Sequence, residues 1–341
     1  MSGARRVLVT GGAGFIPSHF VRHLLLHTEH EVVSLDAITY AGNVENLADV
    51  LSHPRLSFVQ GDIRDERAVR RIVPEVDVVV HAAANSHVEQ SIRDGAREFV
   101  STNIEGTRIL LDAARETDLE LFVLVSSCEV YGSGGGEPIG ENSLLEPRSP
   151  YSATKAAADR LGYAYHVTYG LPVAIVRPFT NYGPFQHPEK MIPRFITQAL
   201  QDEPLTIHGP GTASRDWVFV DDHADAIARV IEAGDAVAGE AINVATGDGR
   251  SVVEIAERVL DLLGKPRSLK VHTDDRPGQV TRNVGSPEKA ERLLGWRART
   301  SFEDGLARTV SWYRDNEAWW RAALSQSARG ASSSSAPARR S

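Results

Sequence analysis

The chain has 341 residues, 42% hydrophobic and 24% charged, with 37 basic and 45 acidic side chains for a net charge of −8. That composition suits one or two globular domains, and the absence of a basic block argues against nucleic acid as a partner. No apolar run approaches the roughly 20 residues of a membrane helix, and the first apolar segment is broken by glycines rather than followed by a cleavage site, so a cytoplasmic protein away from the membrane is expected.

Strand and helix patterns alternate from the start. "RVLVT" precedes a helical pattern over 15–27, "EVVSLD" one over 44–51, "LSFVQGD" one over 65–73 and "DVVVHAAA" one over 94–116. "LFVLVSS" with a helix over 151–168, and then "PVAIVRP", continue the series. The strands are almost wholly apolar, as in a parallel sheet covered on both faces. An α/β fold follows: a doubly wound, Rossmann-type parallel sheet.

Beyond about residue 180 the rhythm loosens into Pro- and Gly-rich stretches, with helical patterns near 190–201, 222–233, 251–263 and 303–323. A smaller α+β substrate-binding domain is expected there. "RDWVFVDD" and "EAINVAT" read as strands returning to the main sheet, so the predicted division is interleaved. Residues 1–180 with about 215–245 form the cofactor domain, and 181–214 with 246–324 the smaller one. The last stretch, 325–341, has almost nothing to bury and reads as a disordered tail.

In "VLVTGGAGFIP", Gly11, Gly12 and Gly14 follow the first strand and open a helix, where backbone N–H groups and the helix dipole can hold a pyrophosphate. Asp36 ends the second strand, where a carboxylate accepts both ribose hydroxyls of NAD, and no arginine follows closely enough to welcome a 2′-phosphate. NAD is the expected cofactor. Pro17 replaces a third glycine, a change that a first helical turn tolerates. Asp62 and Ile63 in "GDIRD" are candidates for contact with adenine, although an acid after a strand is commonly a helix cap.

"SPYSATKAAADR" supplies Tyr151 and Lys155, four apart and on one helix face. An ammonium beside a phenol lowers its pKa and makes it a base for a sugar hydroxyl. Such a pair is common by chance; its weight comes from "VSSCEVYG" at the end of the fifth strand, the side of the sheet where ligands bind. Ser126 and Ser127 would face the cofactor and the sugar there, with Cys128 and Glu129 alongside. Cys128 is the only cysteine, so neither an internal disulfide nor a multi-cysteine metal site can form. His23 and His27 have a spacing that can bind zinc but lack a third ligand, and no metal is expected. Trp319 and Trp320 read as packing residues.

These motifs, with "ITYAGNVENL", "HAAANSHVEQSI", "TNIEGT", "NYGPFQHPEKMIPRF", "SRDWVFVDDHADAI" and "LLGWRARTSFEDGLARTVSWYRDNEAWW", resemble the extended short-chain dehydrogenase/reductase family. Within it they resemble the nucleotide-sugar 4,6-dehydratases typified by dTDP-glucose 4,6-dehydratase, over nearly the whole chain to about residue 320. The resemblance implies a redox-neutral, NAD-dependent dehydration of a nucleotide-diphosphate hexose by a homodimer formed through the helices at 94–116 and 151–168. Tyr151 would assist oxidation at C4, Glu129 remove the C5 proton, and an acid help the C6 hydroxyl leave, giving a 4-keto-6-deoxy sugar.

Ser127 falls at the hydroxyl position of the Tyr/Lys/Ser-or-Thr triad. The resemblance adds Phe15, Ile16 and Ala82 to the cofactor residues and Ser86, Asn181 and Lys190 to the substrate residues. Arg215, Asn243, Arg276 and Arg282 would surround the diphosphate and base, a task that suits the bidentate arginine fork. His208 stands where dTDP-sugar enzymes of the family carry a tyrosine, and Gln279 where they carry a histidine, so dTDP, UDP and GDP all stay open.

Cys128 occupies the position where the 4,6-dehydratases carry an aspartic acid that protonates the departing hydroxyl. A carboxylic acid with a pKa of about 3.9 must be held protonated, whereas a thiol near about 8.5 already is. Glu129 discourages the thiolate further, yet a thiol is a weak donor. Three readings stay open. The chain is a 4,6-dehydratase with a thiol or water as acid, or a 5,6-dehydratase like that of the tunicamycin pathway, where a similar "CEVYG" stretch accompanies an exocyclic alkene, or an epimerase using Cys128 and Glu129 on opposite faces of C5. A cysteine filling a buried gap is the plain alternative for the residue. A redox sensor on the same fold is the alternative outside catalysis; it predicts loss of the Tyr/Lys pair or of the base, and all three are present.

Overall fold

The computed structural model describes residues 3–274 and 280–333. The first half runs β1 (Arg6–Thr10), α1 (Phe15–His27), β2 (Glu31–Asp36), β3 (Leu56–Gln60), α2 (Glu66–Ile72), β4 (Val78–His81), α3 (Val88–Arg93), α4 (Arg97–Phe99), α5 (Gly106–Ala114), β5 (Leu121–Val125), α6 (Pro150–Tyr169) and β6 (Val173–Pro178). The second runs β7 (Thr180–Tyr182), α7 (Met191–Leu200), β8 (Leu205–His208), β9 (Ser214–Phe219), α8 (Val220–Ala233), β10 (Ala241–Val244), β11 (Gly249–Ser251), α9 (Val252–Leu263), β12 (Lys270–Thr273), β13 (Arg282–Asn283), α10 (Glu288–Leu294), α11 (Phe302–Asp315) and α12 (Glu317–Ser333).

Seven strands form one parallel sheet in the order β10-β6-β5-β4-β1-β2-β3. This is the doubly wound order, and the change of direction between β1 and β4 opens the crevice where such sheets bind ligands. Alternation along β1 shows why the strands are apolar throughout: Val7 and Val9 pack into the layer that holds Phe20 and Leu24 of α1, and Leu8 into the opposite layer with Ile109 and Leu110 of α5. A third core, around Tyr182, Phe195, Ile255, Leu306 and Trp320, holds the smaller lobe.

Several elements differ from expectation. "RDWVFVDD" does not return to the main sheet: β9 pairs with β7, β11 and β13 in a small separate sheet, while β10 does join β6. The chain changes lobe at Phe219, where β9 passes directly into α8. The helix expected over 94–116 is divided, because Gly95 takes φ +88 and residues Val100–Glu105 form a wider π turn. Only a short 3-10 turn, Val44–Leu47, forms in the 44–51 segment. The helix over 303–323 breaks at Asn316, and α12 runs on to Ser333, into the segment read as a disordered tail. Residues 334–341 lie outside the described residues. No described helix is long and apolar enough to cross a membrane.

Candidate active site

A cleft of about 630 Å³ runs along the carboxyl ends of the sheet strands. Its floor is the glycine turn. Gly11 has φ +75, and its N–H donates to the Leu35 carbonyl at 2.7 Å. A Cβ on Gly12 would stand 2.0 Å from Ser34 Oγ, so only glycine fits against β2 there. Gly14 caps α1 without a side-chain acceptor, and the first turn holds no acidic residue, which leaves its N–H groups to an anion. Pro17 falls among the first four residues of that helix, whose N–H groups have no intrahelical acceptor.

Asp36 sits beside this turn, buried, accepting from Ala13 N–H (3.0 Å) and Ile38 N–H (2.7 Å), and burial raises its pKa. Phe15, Ile16, Asp62, Ile63 and Ala82 also line the cleft. Asp62 is gripped by Arg64, whose Nη2 donates to it at 2.7 Å, while Asp65 takes the role of cap for α2. Higher up, Ser126 Oγ is buried in the wall without a hydrogen-bond partner among the described residues. A glycine cradle that a Cβ would fill, an acid at the second strand end and an unpaired wall hydroxyl fit a dinucleotide.

The catalytic candidates converge where β5 ends. Ser127 caps a 3-10 turn, Cys128–Tyr131, by accepting from Glu129 N–H at 3.2 Å. Asn283 anchors that turn from the smaller lobe, donating to the carbonyls of Cys128 (3.3 Å) and Gly132 (3.2 Å). Opposite, Ser149 and Ser152 form a reciprocal cap with Pro150 in the first turn, and this starts α6 so that Tyr151 faces the cleft. The Tyr151 hydroxyl is hydrogen-bonded to Ser127. Lys155, one turn on, is buried and donates to the Val125 carbonyl at 2.6 Å.

Burial raises the Tyr151 phenol, with the Ser127 hydrogen bond acting against it. The Lys155 ammonium is turned onto the strand end, and burial lowers its pKa to about 8 against the pull of Asp159. Glu129 is raised by burial, with Arg215 opposing. Cys128 is pushed well above the ordinary thiol value by burial first and Glu129 second. A neutral thiol and a carboxyl of raised pKa therefore stand side by side.

The predicted substrate residues divide. Ser86, Asn181 and Lys190 line the cleft, with Lys190 Nζ 3.4 Å from the Ser86 carbonyl. Asn181 donates to the Phe179 carbonyl (2.9 Å) and accepts at 3.1 Å from His223, which burial keeps neutral with a pKa of about 3. Arg215 pairs in register with Asn283 and acts electrostatically on Cys128 and Glu129. Arg282 pairs with Ser214 and donates to the Glu137 carbonyl at 3.3 Å. His208 lies on the two-stranded β8–β12 sheet, 3.2 Å from Thr273 Oγ1, and does not line the cleft. Asn243 does not line the cleft: it is fully buried, accepting from the Tyr131 hydroxyl (2.8 Å) and donating to the Ile139 carbonyl (2.9 Å). Arg276 and Gln279 lie outside the described residues.

The cleft also contains residues the motif reading passed over. Tyr40 meets Ser86 Oγ at 3.4 Å, and Glu189, 3.0 Å from His87 Nε2, has its pKa lowered to about 2: burial acts upward, but His87, Lys190 and His187 outweigh it. Both lie inside the quoted stretches "ITYAGNVENL" and "NYGPFQHPEKMIPRF", so position within a motif was the available signal. Trp320 is a core residue as expected, whereas Trp319 lines the cleft. His23 and His27 stand with ring centroids 4.8 Å apart and do not line it.

Residues 8–309 match the family model for GDP-mannose 4,6 dehydratase. Among curated relatives, the low-salt glycan biosynthesis protein Agl12 of Haloferax volcanii is 46% identical, over 90% of this chain and 98% of its own. The dTDP-glucose 4,6-dehydratase of Streptomyces niveus is 43% identical, over 92% and 94%. Among solved structures, DesIV, the dTDP-glucose 4,6-dehydratase of Streptomyces venezuelae with NAD bound, superposes with a TM-score of 0.90 at 48% identity over 93% of this chain and 99% of that one. The UDP-glucuronic acid 4-epimerase of Bacillus cereus gives 0.86 at 31% identity, over 91% and 99%. With the glycine turn, the strand-end triad and these relationships together, the chain belongs to the GDP-mannose 4,6 dehydratase family of extended short-chain dehydrogenase/reductases.

Proposed function

We propose that the protein is an NAD-dependent dehydratase of a nucleotide-diphosphate hexose, converting it to a 4-keto-6-deoxy sugar. One observation carries the reading: Glu129, with its raised pKa, stands in the same cleft as the linked Ser127 and Tyr151 hydroxyls and the glycine turn. When bound against Gly11, Gly14 and Asp36, NAD supplies a reversible hydride acceptor for C4. The protein moves the protons. In its phenolate form Tyr151 takes the proton of the C4 hydroxyl, relayed by the Ser127 hydroxyl, and the positive charge of Lys155 one turn away favours that form against burial. The 4-ketone acidifies C5–H, and Glu129 takes that proton. A carboxylate of raised pKa is suited to this, because its basicity lies nearer to neutral pH. Loss of water from C5 and C6 then needs a proton at the C6 oxygen. Cys128 carries one as a thiol; Glu129, newly protonated, carries a more acidic one. Hydride return to C6, with a solvent-derived proton delivered to C5, then gives the 4-keto-6-deoxy sugar with no net oxidation.

Cys128 favours one second reading, a 5,6-dehydratase that leaves an exocyclic alkene, because a similar "CEVYG" stretch accompanies return of hydride to C4 in the tunicamycin-pathway enzyme; loss of the C6 hydroxyl is common to both readings. Incubation with dTDP-, UDP- and GDP-hexoses in deuterated water, followed by mass spectrometry and NMR, separates the cases. Loss of water with deuterium at C5 is the expected result. Loss of water without it gives the alkene, and deuterium uptake without loss of water gives an epimerase. Failure of every hexose to react overturns the dehydratase reading. The expected homodimer belongs to the same proposal: Ile92, Val100, Tyr163, Val167 and Tyr169 expose apolar side chains on or beside α3–α6. Sedimentation should give twice the chain mass.

A further inference from the structure

Behind the site, away from the cleft lining, Asp159 and Arg177 form an ion pair with side chains 0% and 2% exposed. Arg177 Nε and Nη2 donate to the two carboxylate oxygens at 2.8 and 3.0 Å, the bidentate fork geometry. The remaining terminal nitrogen donates to the Tyr131 hydroxyl (2.8 Å) and the Glu141 carbonyl (3.1 Å), and the guanidinium lies 5.1 Å from the centroid of the Tyr131 ring. Tyr131 in turn donates to Asn243, whose strand neighbour in register is Arg177 itself.

Asp159 is one helical turn beyond Lys155 on α6, and Tyr131 is two residues beyond Glu129 in the turn that follows β5. Two separate pieces of the catalytic apparatus are thus tied to a single buried guanidinium. Against an apolar replacement of similar volume, a buried pair of this kind commonly adds little net stability, which directs attention to what it holds in place.

We propose that Asp159 and Arg177 are positioning residues that register the Glu129 turn against the Tyr151–Lys155 helix and keep Lys155 charged. Neither touches substrate or cofactor. The groups facing Lys155 are Tyr151 and Asp159 on its own helix, the Val125 carbonyl on β5, and His81 on β4, which burial keeps neutral at about 3. Those facing Asp159 are Arg160 and Arg177, with Glu141 and Tyr131 around the latter. Asp159 is the one carboxylate that opposes burial at Lys155.

Only the activity arm of the test rests on the dehydratase reading. The double variant Asp159→Asn/Arg177→Met removes both charges without stranding either one. The NAD-loaded protein is followed by kcat and KM across pH. In parallel, the protein with ¹³C-labelled lysine is titrated by NMR, resolving Lys155 from Lys190, Lys265, Lys270 and Lys289. The expected result is a folded protein whose Lys155 titrates at lower pH than in the unmodified chain, with the basic limb of kcat displaced the same way. Its kcat falls by up to about 100-fold, as a misplacement of about 1 Å produces, while KM for the nucleotide sugar stays nearly unchanged.

A folded double variant with the original Lys155 titration and kcat overturns the proposal. Should the double variant not fold, Tyr131→Phe cuts the link between Arg177 and the Glu129 turn: a reduced kcat at unchanged KM supports the proposal, and an unaltered kcat overturns it. If no hexose is turned over by the unmodified protein, the dehydratase reading has failed, and the lysine titration alone decides this one.

Discussion

At the cofactor end of the cleft the geometry is assembled from neighbours in sequence: the glycine turn, Asp36 and the first turn of α1 all lie within the first 40 residues. The smaller lobe works differently. There Arg215 sits on β9 between residues that arrive from β7, β11 and β13, and Asn283 reaches back across the lobe boundary to hold the Cys128 turn. A local site is fixed by sterics that a single strand and helix impose, so it tolerates almost no change of residue. A site gathered from distant segments is fixed by side-chain hydrogen bonds, so its chemistry can drift while its shape is kept. Cys128 falls where these two kinds of construction meet.

The contrast can be broken at several points. The largest effect is expected at the strand end: Tyr151→Phe or Glu129→Gln should lower turnover by about 10²- to 10⁴-fold, the usual worth of a general acid or base, with bound NAD retained. Gly12→Ala should next eject NAD, read as lost cofactor after gel filtration, because the new methyl collides with Ser34; Ser34→Ala in the same chain should restore part of it. If Gly12→Ala keeps its cofactor, the local steric account fails.

Acid–base behaviour gives the third effect. Burial brings Lys155 from 10.5 to about 8, so between those values the unfolded chain holds a proton that the folded chain has released. The contribution of this group to stability therefore rises with pH across that window, while the positive charge it lends to Tyr151 is lost. Turnover should decline above a pH of about 8 as the thermal midpoint loses no ground on account of Lys155. A kcat profile flat to pH 10 contradicts the assignment.

Smaller changes sharpen the contrast. Cys128→Asp should raise the rate of water loss by about tenfold, since a carboxylic acid is the stronger donor at the C6 oxygen; an unchanged rate would mean that the position has no part in the chemistry. His208→Tyr should alter KM for a dTDP-sugar relative to UDP- and GDP-sugars by about two- to tenfold, the worth of one aromatic stack.

How far the chain could be read beforehand follows the same line. Apolar periodicity revealed β1, β2 and β4 to β6, because a strand buried on both faces must be apolar whatever surrounds it; the edge strand β3 showed the same pattern although it is only half-buried. The same logic failed for β9: Trp217, Val218 and Phe219 are buried too, but in a different sheet, and periodicity does not tell one sheet from another. Tyr151 and Lys155 stood out by their spacing and Glu129 only through the family resemblance, and the structure brings all three to one cleft. The direction in which Lys155 points was not legible, because it depends on the Val125 carbonyl of another element. Asn243 shows the limit most plainly, since an asparagine near an active site and one knitting a core have the same letter, and only the Tyr131 and Ile139 contacts separate them.

The late arrival of β10 bears on synthesis as well as on architecture. When residues 1–180 have left the ribosome, six strands of the sheet exist and β6, apolar from Val173 to Val176, is an open edge. It stays so until β10 has been made some sixty residues later, after the chain has detoured through β7, α7, β8, β9 and α8. An unpaired apolar edge is an invitation to pair with another chain. A nascent protein of this topology gains from rapid elongation through the detour or from a chaperone that shields β6, and a truncated form ending near residue 235 should aggregate rather than persist as an isolated cofactor domain.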